Sequence, residues 1–173
     1  MVVERNVFVW SSTVHGYGLF ARKPMKRSDL ICLYSGISRK KGESTGDFTC
    51  STNTCDIDSG DVNNYSGRWM NHSCTPNARL VVPIGGLLTC HNKRVGIIVE
   101  CLQPIYQCEE IFIDYGLTYF LQKKEVDPNY FFGCRDMKVC LLKGGRFLKF
   151  KWWWFQLYYL TLYDCDYIPL WCF

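Results

Sequence analysis

Short runs of β-branched and aromatic residues, each closed off by Gly, Pro, Asn or Asp, are spread over the first 120 residues. They are Val7-Phe8-Val9-Trp10, Ile31-Cys32-Leu33-Tyr34, Arg79-Leu80-Val81-Val82, Val95-Gly96-Ile97-Ile98-Val99 and Ile111-Phe112-Ile113. Runs of this length and type suit half-buried pleated strands and are too short for stable helices. No sustained helical period and no internal repeat is visible, and Pro83 to Gly86 supplies turn chemistry between two of the runs. The expected class is therefore mostly β, built from many short strands.

A chain of 173 residues has room for one domain with an appendage. Its formal charge of +4 is too small to make a nucleic-acid surface, so no direct nucleic-acid binding is expected. The distribution of charge is more informative. No basic residue lies between Lys41 and Arg68, whereas Glu43, Asp47, Asp56, Asp58 and Asp61 all do. This stretch reads either as a solvated acidic loop or as a surface that attracts a basic peptide. The eleven cysteines form no Cys-x-x-Cys pair, so no dedicated four-cysteine zinc module is apparent. The opening Met1-Val2-Val3-Glu4-Arg5-Asn6 lacks a basic region leading into an apolar one, which leads us to expect a reducing compartment, nucleus or cytoplasm.

Composition shifts once, near Phe147, into an aromatic-rich tail over 143–173. Its most apolar run, Trp152 to Tyr163, is twelve residues long, short of the ~20 needed to cross a bilayer. The tail is open to three readings: a structural strap on the core, a membrane-surface anchor, or sequence outside the working domain.

Three clusters carry chemistry. In His15-Gly16-Tyr17-Gly18, two glycines around an aromatic residue allow backbone groups to approach a small molecule, although taken alone the cluster reads better as a plain turn. Arg68-Trp69-Met70 followed by Asn71-His72-Ser73-Cys74-Thr75-Pro76-Asn77 combines polar side chains with a proline-fixed backbone. His72 and Cys74 there make a metal site only with partners that the spacing does not supply. Finally, the run Glu109 to Gly116 is a strand ending in Asp114-Tyr115-Gly116.

In this order, these clusters resemble the SET-domain family of protein lysine methyltransferases. The resemblance runs from about Phe8 to Tyr119 and includes Tyr34-Ser35-Gly36. It implies a SET-domain fold of several small β-sheets with few short helices, whose two late motifs meet in a knot-like C-terminal core. Residues 1–120 would form the SET catalytic domain and 121–142 a C-terminal flap. It also implies S-adenosylmethionine as methyl donor, with the backbone at Gly16, Tyr17 and Gly18 meeting its methionine part. Arg68, Asn71, His72 and Tyr115 would line the rest. Tyr115 resembles the catalytic tyrosine, and Tyr34 would form a second aromatic wall. The implied activity is methyl transfer to a lysine of a basic protein, commonly a histone tail. A catalytically degenerate SET-like domain that binds peptide or partner protein is the alternative.

The chain departs from the family pattern at three places. Cys108 stands where glycine commonly precedes the Glu-Glu pair, and a turn of positive φ there would strain it. Ile113 replaces the aromatic residue of many relatives, which leans the product towards more than one methyl group. Only Cys74, Cys134 and Cys140 are at hand for the zinc that many relatives share with the Cys of this motif. They are weak candidates, and zinc is not expected.

Overall fold

In a computed structural model of the chain, residues 3–44, 46–60, 66–82, 93–116 and 119 are described. Among them are nine strands, β1 (Val7–Ser11), β2 (Tyr17–Ala21), β3 (Leu30–Lys40), β4 (Thr49–Ser51), β5 (Cys55–Asp58), β6 (Asn71–His72), β7 (Ala78–Val81), β8 (Arg94–Cys101) and β9 (Glu110–Ile113). Two single-turn 3₁₀ helices, Val3–Asn6 and Ser66–Trp69, complete the regular structure. Each of the five apolar runs is a strand, as their β-branched content predicts. No helix among the described residues is long and apolar enough to cross a membrane. The flap at 121–142, the tail at 143–173 and the Pro83 turn lie outside the described residues.

The strands form two small sheets, in the orders β1-β2-β9-β6 and β4-β5-β3-β8-β7. Neighbours are antiparallel except β6 and β9, which run parallel with Asn71 opposite Phe112 and His72 opposite Ile113. One apolar cluster joins both sheets, through Val7 and Leu19, Ile31 and Cys32, Ile57, Ile97 and Val99, and Ile111. Burying an isoleucine side chain contributes about 1.5–3 kcal/mol. The fully covered Ile31, Ile57, Ile97 and Ile111, with Leu19 and Val99, therefore contribute strongly to the core that joins the sheets.

β2 departs from expectation. The residues Tyr17 and Gly18, which read as a turn, lie inside a strand paired along its whole length with β1, and only Gly16, at a φ of 50°, belongs to the turn before it. A strand forms because Leu19, Phe20 and Ala21 continue the segment into the core, so tertiary burial overrides the weak local preference of Gly-Tyr-Gly.

The backbone also repeats itself where the sequence shows no repeat. Residues 21–29 and 101–109 build the same loop, and the two loops hold each other through exchanged hydrogen bonds. The Met25 and Ile105 amides donate to each other's carbonyls at 2.9 and 3.0 Å. Ser28 N–H donates to Cys101 O at 2.9 Å and Cys108 N–H to Ala21 O at 2.8 Å. Ala21 N–H and Cys101 N–H donate to Glu109 O and Asp29 O, both at 3.0 Å. Each loop is closed by a carboxylate three residues ahead, Asp29 accepting from Lys26 N–H at 2.7 Å and Glu109 from Tyr106 N–H at 2.9 Å. Both turns need a left-handed residue, and both use a non-glycine one, Ser28 at a φ of 69° and Cys108 at 62°. The strain expected at Cys108 is thus present, and Ser28 shares it.

Candidate active site

The parallel contact between β6 and β9 brings the two late motifs together. Two residues of β6 have little strand preference of their own; Ser73 N–H donating to Ile113 O at 3.1 Å extends the pairing beyond the strand. Asn77 fastens it, fully buried, with its amide donating to Glu110 O at 2.9 Å and its oxygen accepting from Phe112 N–H at 2.8 Å. Glu109 to Tyr115 are therefore fixed against residues 70–77 by bonds that span more than thirty positions.

Tyr115 is held at both ends. Its backbone N–H donates to Nδ1 of His72 at 3.1 Å, and its phenol donates to Met70 O at 2.6 Å. An amide hydrogen can only be donated, so Nδ1 is an acceptor and the His72 ring is the neutral tautomer protonated at Nε2. Asp114, 3.6 Å from Nδ1, is then a polar neighbour rather than an ion-pair partner. Nε2 lies 3.3 Å from Cys74 Sγ and donates to it. Because the Tyr115 proton is directed at Met70, the phenolic oxygen offers lone pairs to whatever approaches it.

Asn71 is engaged on the opposite side. Its amide donates to His15 O at 3.2 Å, Tyr17 O at 3.0 Å and Glu110 Oε1 at 2.8 Å. The side chains of Asn71 and His72, 8% and 2% exposed, thus bind the fold itself, so anything they contribute to a ligand passes through the backbone they shape. Gly18 is required here by space, because a Cβ would overlap the Glu110 carboxylate. At Gly16, by contrast, a Cβ would meet nothing within 4 Å, leaving the turn open beside the backbone.

Next to this turn runs an aromatic wall. The Tyr17 ring, 61% exposed, meets Trp69 edge-on at 5.8 Å, and Trp69 meets Phe48 at 6.1 Å. The Arg68 guanidinium lies 4.0 Å from the Phe48 ring centroid and 5.1 Å from that of Trp69, with Nη1 donating to Gly60 O at 3.1 Å. Its buried Nε has no acceptor among the described residues. The Phe48 and Trp69 rings are thus engaged by Arg68, which leaves the open glycine turn, the exposed Tyr17 ring and the unmatched buried donor to meet a ligand that carries an acceptor group.

Tyr34 is buried, with its hydroxyl donating to Phe48 O at 2.7 Å. Burial, reinforced by Cys50, pushes its phenol well above the ordinary tyrosine range, so it stays a proton-bearing donor. Tyr115 and Arg68 are near enough to influence its proton.

The acidic stretch at 43–61 is partly engaged within the fold. Asp56 is buried and accepts from Gly42 N–H at 2.7 Å, Ser44 N–H at 3.3 Å and Ser51 Oγ at 2.7 Å. Glu43 closes its own turn onto Lys40, while Asp47 stays exposed. Among the described residues no three His, Cys, Asp or Glu side chains gather as a metal site, and Cys134 and Cys140 lie outside them.

Sequence reasoning passed over Ser12, Phe48 and Glu110, which the fold draws in from distant positions. Only the repeated acid at Glu109-Glu110, followed by an apolar strand, hinted at the last.

Residues 16–116 match the family model for the SET domain. Human histone-lysine N-methyltransferase 2B is 27% identical over 121 residues, a stretch covering 63% of this chain and 4% of that much longer protein. A crystal structure of a Plasmodium falciparum protein, described as a candidate histone methyltransferase, aligns with a TM-score of 0.49 and 22% identity. That alignment covers 66% of this chain and 96% of the other.

Proposed function

The chain belongs to the SET-domain family, and from that premise we propose that it transfers methyl groups to lysine side chains of a basic protein, histone tails first among them. The observation that carries this reading is the anchoring of Tyr115, its amide on His72 and its hydroxyl on Met70 O. S-adenosylmethionine, when bound, supplies an electrophilic methyl group on a sulfonium centre.

The backbone at Gly16, Tyr17 and Gly18 would hold its methionine part, with Arg68 and the backbone of Asn71 and His72 around it. Methyl transfer to an amine is an in-line displacement, so the chain's main task is to fix the approach geometry. The doubly anchored Tyr115 presents acceptor lone pairs without a free proton, which suits orienting a neutral amine and the hydrogens of a polarised methyl group. Tyr34, buried and protonated, supplies an apolar face that disfavours a charged ammonium and so lowers the pKa of an entering lysine. The 1–120 unit is read as the catalytic domain, in nucleus or cytoplasm. Ile113 brings no hydroxyl to the site, favouring products with more than one methyl.

Cys108, with Ile113 and the incomplete set of zinc cysteines, is one of the departures that favour a non-catalytic, peptide-binding role. It adopts the φ the turn needs and its amide still donates to Ala21 O, so β9 is reached without disruption. Transfer of labelled methyl from S-adenosylmethionine to histones tests the proposal. Wild-type protein should label them, and Tyr115→Phe should lose at least ~100-fold in kcat, the scale of removing one preorganised polar group. Equal labelling by both proteins would reject the role of Tyr115. Absence of labelling, together with absence of cofactor binding, would favour the peptide-binding alternative.

A further inference from the structure

Glu110 is the first residue of β9, 9% exposed, and both of its carboxylate oxygens are used. Oε1 accepts from the Asn71 amide at 2.8 Å and Oε2 from the Ser12 hydroxyl at 3.0 Å. These two donors hold opposite ends of the turn before β2. Ser12 Oγ accepts from Val14 N–H at 3.0 Å and His15 N–H at 3.4 Å, while the Asn71 amide also donates to His15 O and Tyr17 O. Gly18, in β2 just past the turn, leaves the space that the carboxylate fills. None of the ion pairs among the described residues includes Glu110, so only neutral donors satisfy this buried group. Its charge makes both hydrogen bonds stronger than neutral ones.

We propose that Glu110 is a positioning residue that sets the conformation of the turn at residues 12–16, just before β2, and thereby the affinity for S-adenosylmethionine. The affinity part rests on reading this turn as cofactor-binding backbone. Glu110→Gln keeps the size but replaces one acceptor with an N–H₂ group facing a donor. If the amide oxygen stays with Asn71, the nitrogen faces Ser12, whose oxygen already serves two backbone amides.

The first measurement is amide hydrogen exchange in the unliganded protein. Val14 and His15 should exchange faster in Glu110→Gln while β3 and β8 remain as protected as in wild type. Calorimetry should then show S-adenosylmethionine binding weakened roughly 10-fold to 100-fold, the scale of a hydrogen bond to a charged group, with kcat at saturating cofactor within about 3-fold. Ser12→Ala removes one donor without touching β9 and serves if the Gln variant fails to fold. It should weaken binding as well. Because it also removes the acceptor of Val14 and His15 N–H, the decisive readout where both variants fold is coupling: Glu110→Gln should cost less in the Ser12→Ala background than in wild type, since their shared contact is already gone.

Unchanged exchange at Val14 and His15 in a folded variant would overturn the proposal, as would additive effects of the two substitutions or a fall in kcat at unchanged affinity. If wild-type protein binds no S-adenosylmethionine, the cofactor reading fails and the affinity claim with it. Exchange still decides whether Glu110 controls the turn.

Discussion

Replacing Ser28 and Cys108 by glycine, singly and together, should stabilise the fold. Both sit at positive φ, 69° and 62°, and both side chains are exposed, so no packing is lost on removing them. Their amides donate across the paired loops, and glycine keeps those bonds. A left-handed conformation costs a non-glycine residue roughly 1–2 kcal/mol. The extra freedom of glycine in the unfolded chain returns about 0.5–1 kcal/mol of that. The difference leaves about 0.5–1 kcal/mol per site. For a domain of this size, 1 kcal/mol moves Tm by about 2–4 °C, so the double variant should melt roughly 2–8 °C higher. Differential scanning calorimetry on reduced protein measures this directly. Cys108→Val provides the opposite arm, since a β-branched residue is least tolerant of left-handed backbone, and it should lose at least ~1 kcal/mol. Glycine variants no more stable than wild type, or a valine variant that melts with it, would refute the strain argument.

Two further outcomes follow from the packing. Asn77→Ala leaves Phe112 N–H and Glu110 C=O without side-chain partners in a buried setting, so denaturant unfolding should show a loss of about 2–4 kcal/mol; a loss below 1 kcal/mol would mean that water replaces the amide. Thiol labelling at pH 8 should modify exposed Cys108 quickly and spare Cys50, whose thiol burial holds up at about 12, with Asp56 and Cys55 adding to the effect. An unfolded Cys50 ionises at its ordinary value while the folded one keeps its proton. Its contribution is therefore complete below the ordinary thiol pKa and is lost as pH climbs towards about 12, which alkaline unfolding should register.

Residues that bury an alternating or continuous apolar surface were legible in the sequence: β1, β3, β7, β8 and β9 coincide with the β-branched runs. β4 and β5 were not, because Thr-Cys-Ser and Cys-Asp-Ile-Asp carry too little apolar character; β5 forms by pairing onto the long β3, and β4 by pairing onto β5. β6 exists only through its contact with β9. The paired loops escaped notice because Met25 and Ile105, Ser28 and Cys108, and Asp29 and Glu109 match in role rather than identity. Within the candidate site, short motifs named Asn71, His72 and Tyr115, but their partners depend on long-range folding. Ser12 meets Glu110 across 98 positions, a relation no local pattern encodes. Within the acidic stretch, sequence likewise gives no sign that Asp56 turns inward to accept from backbone amides.

The parallel contact of β6 with β9 dictates when the candidate site can form. During synthesis the early strands can pair among themselves, but β2 keeps a bare edge and Asn71, His72 and Asn77 lack their β9 partners until the chain has been made through Tyr115. The candidate site is thus assembled only once β9 is in place, so a chain that stops before β9 lacks every contact that fixes Asn71, His72 and Asn77 against it.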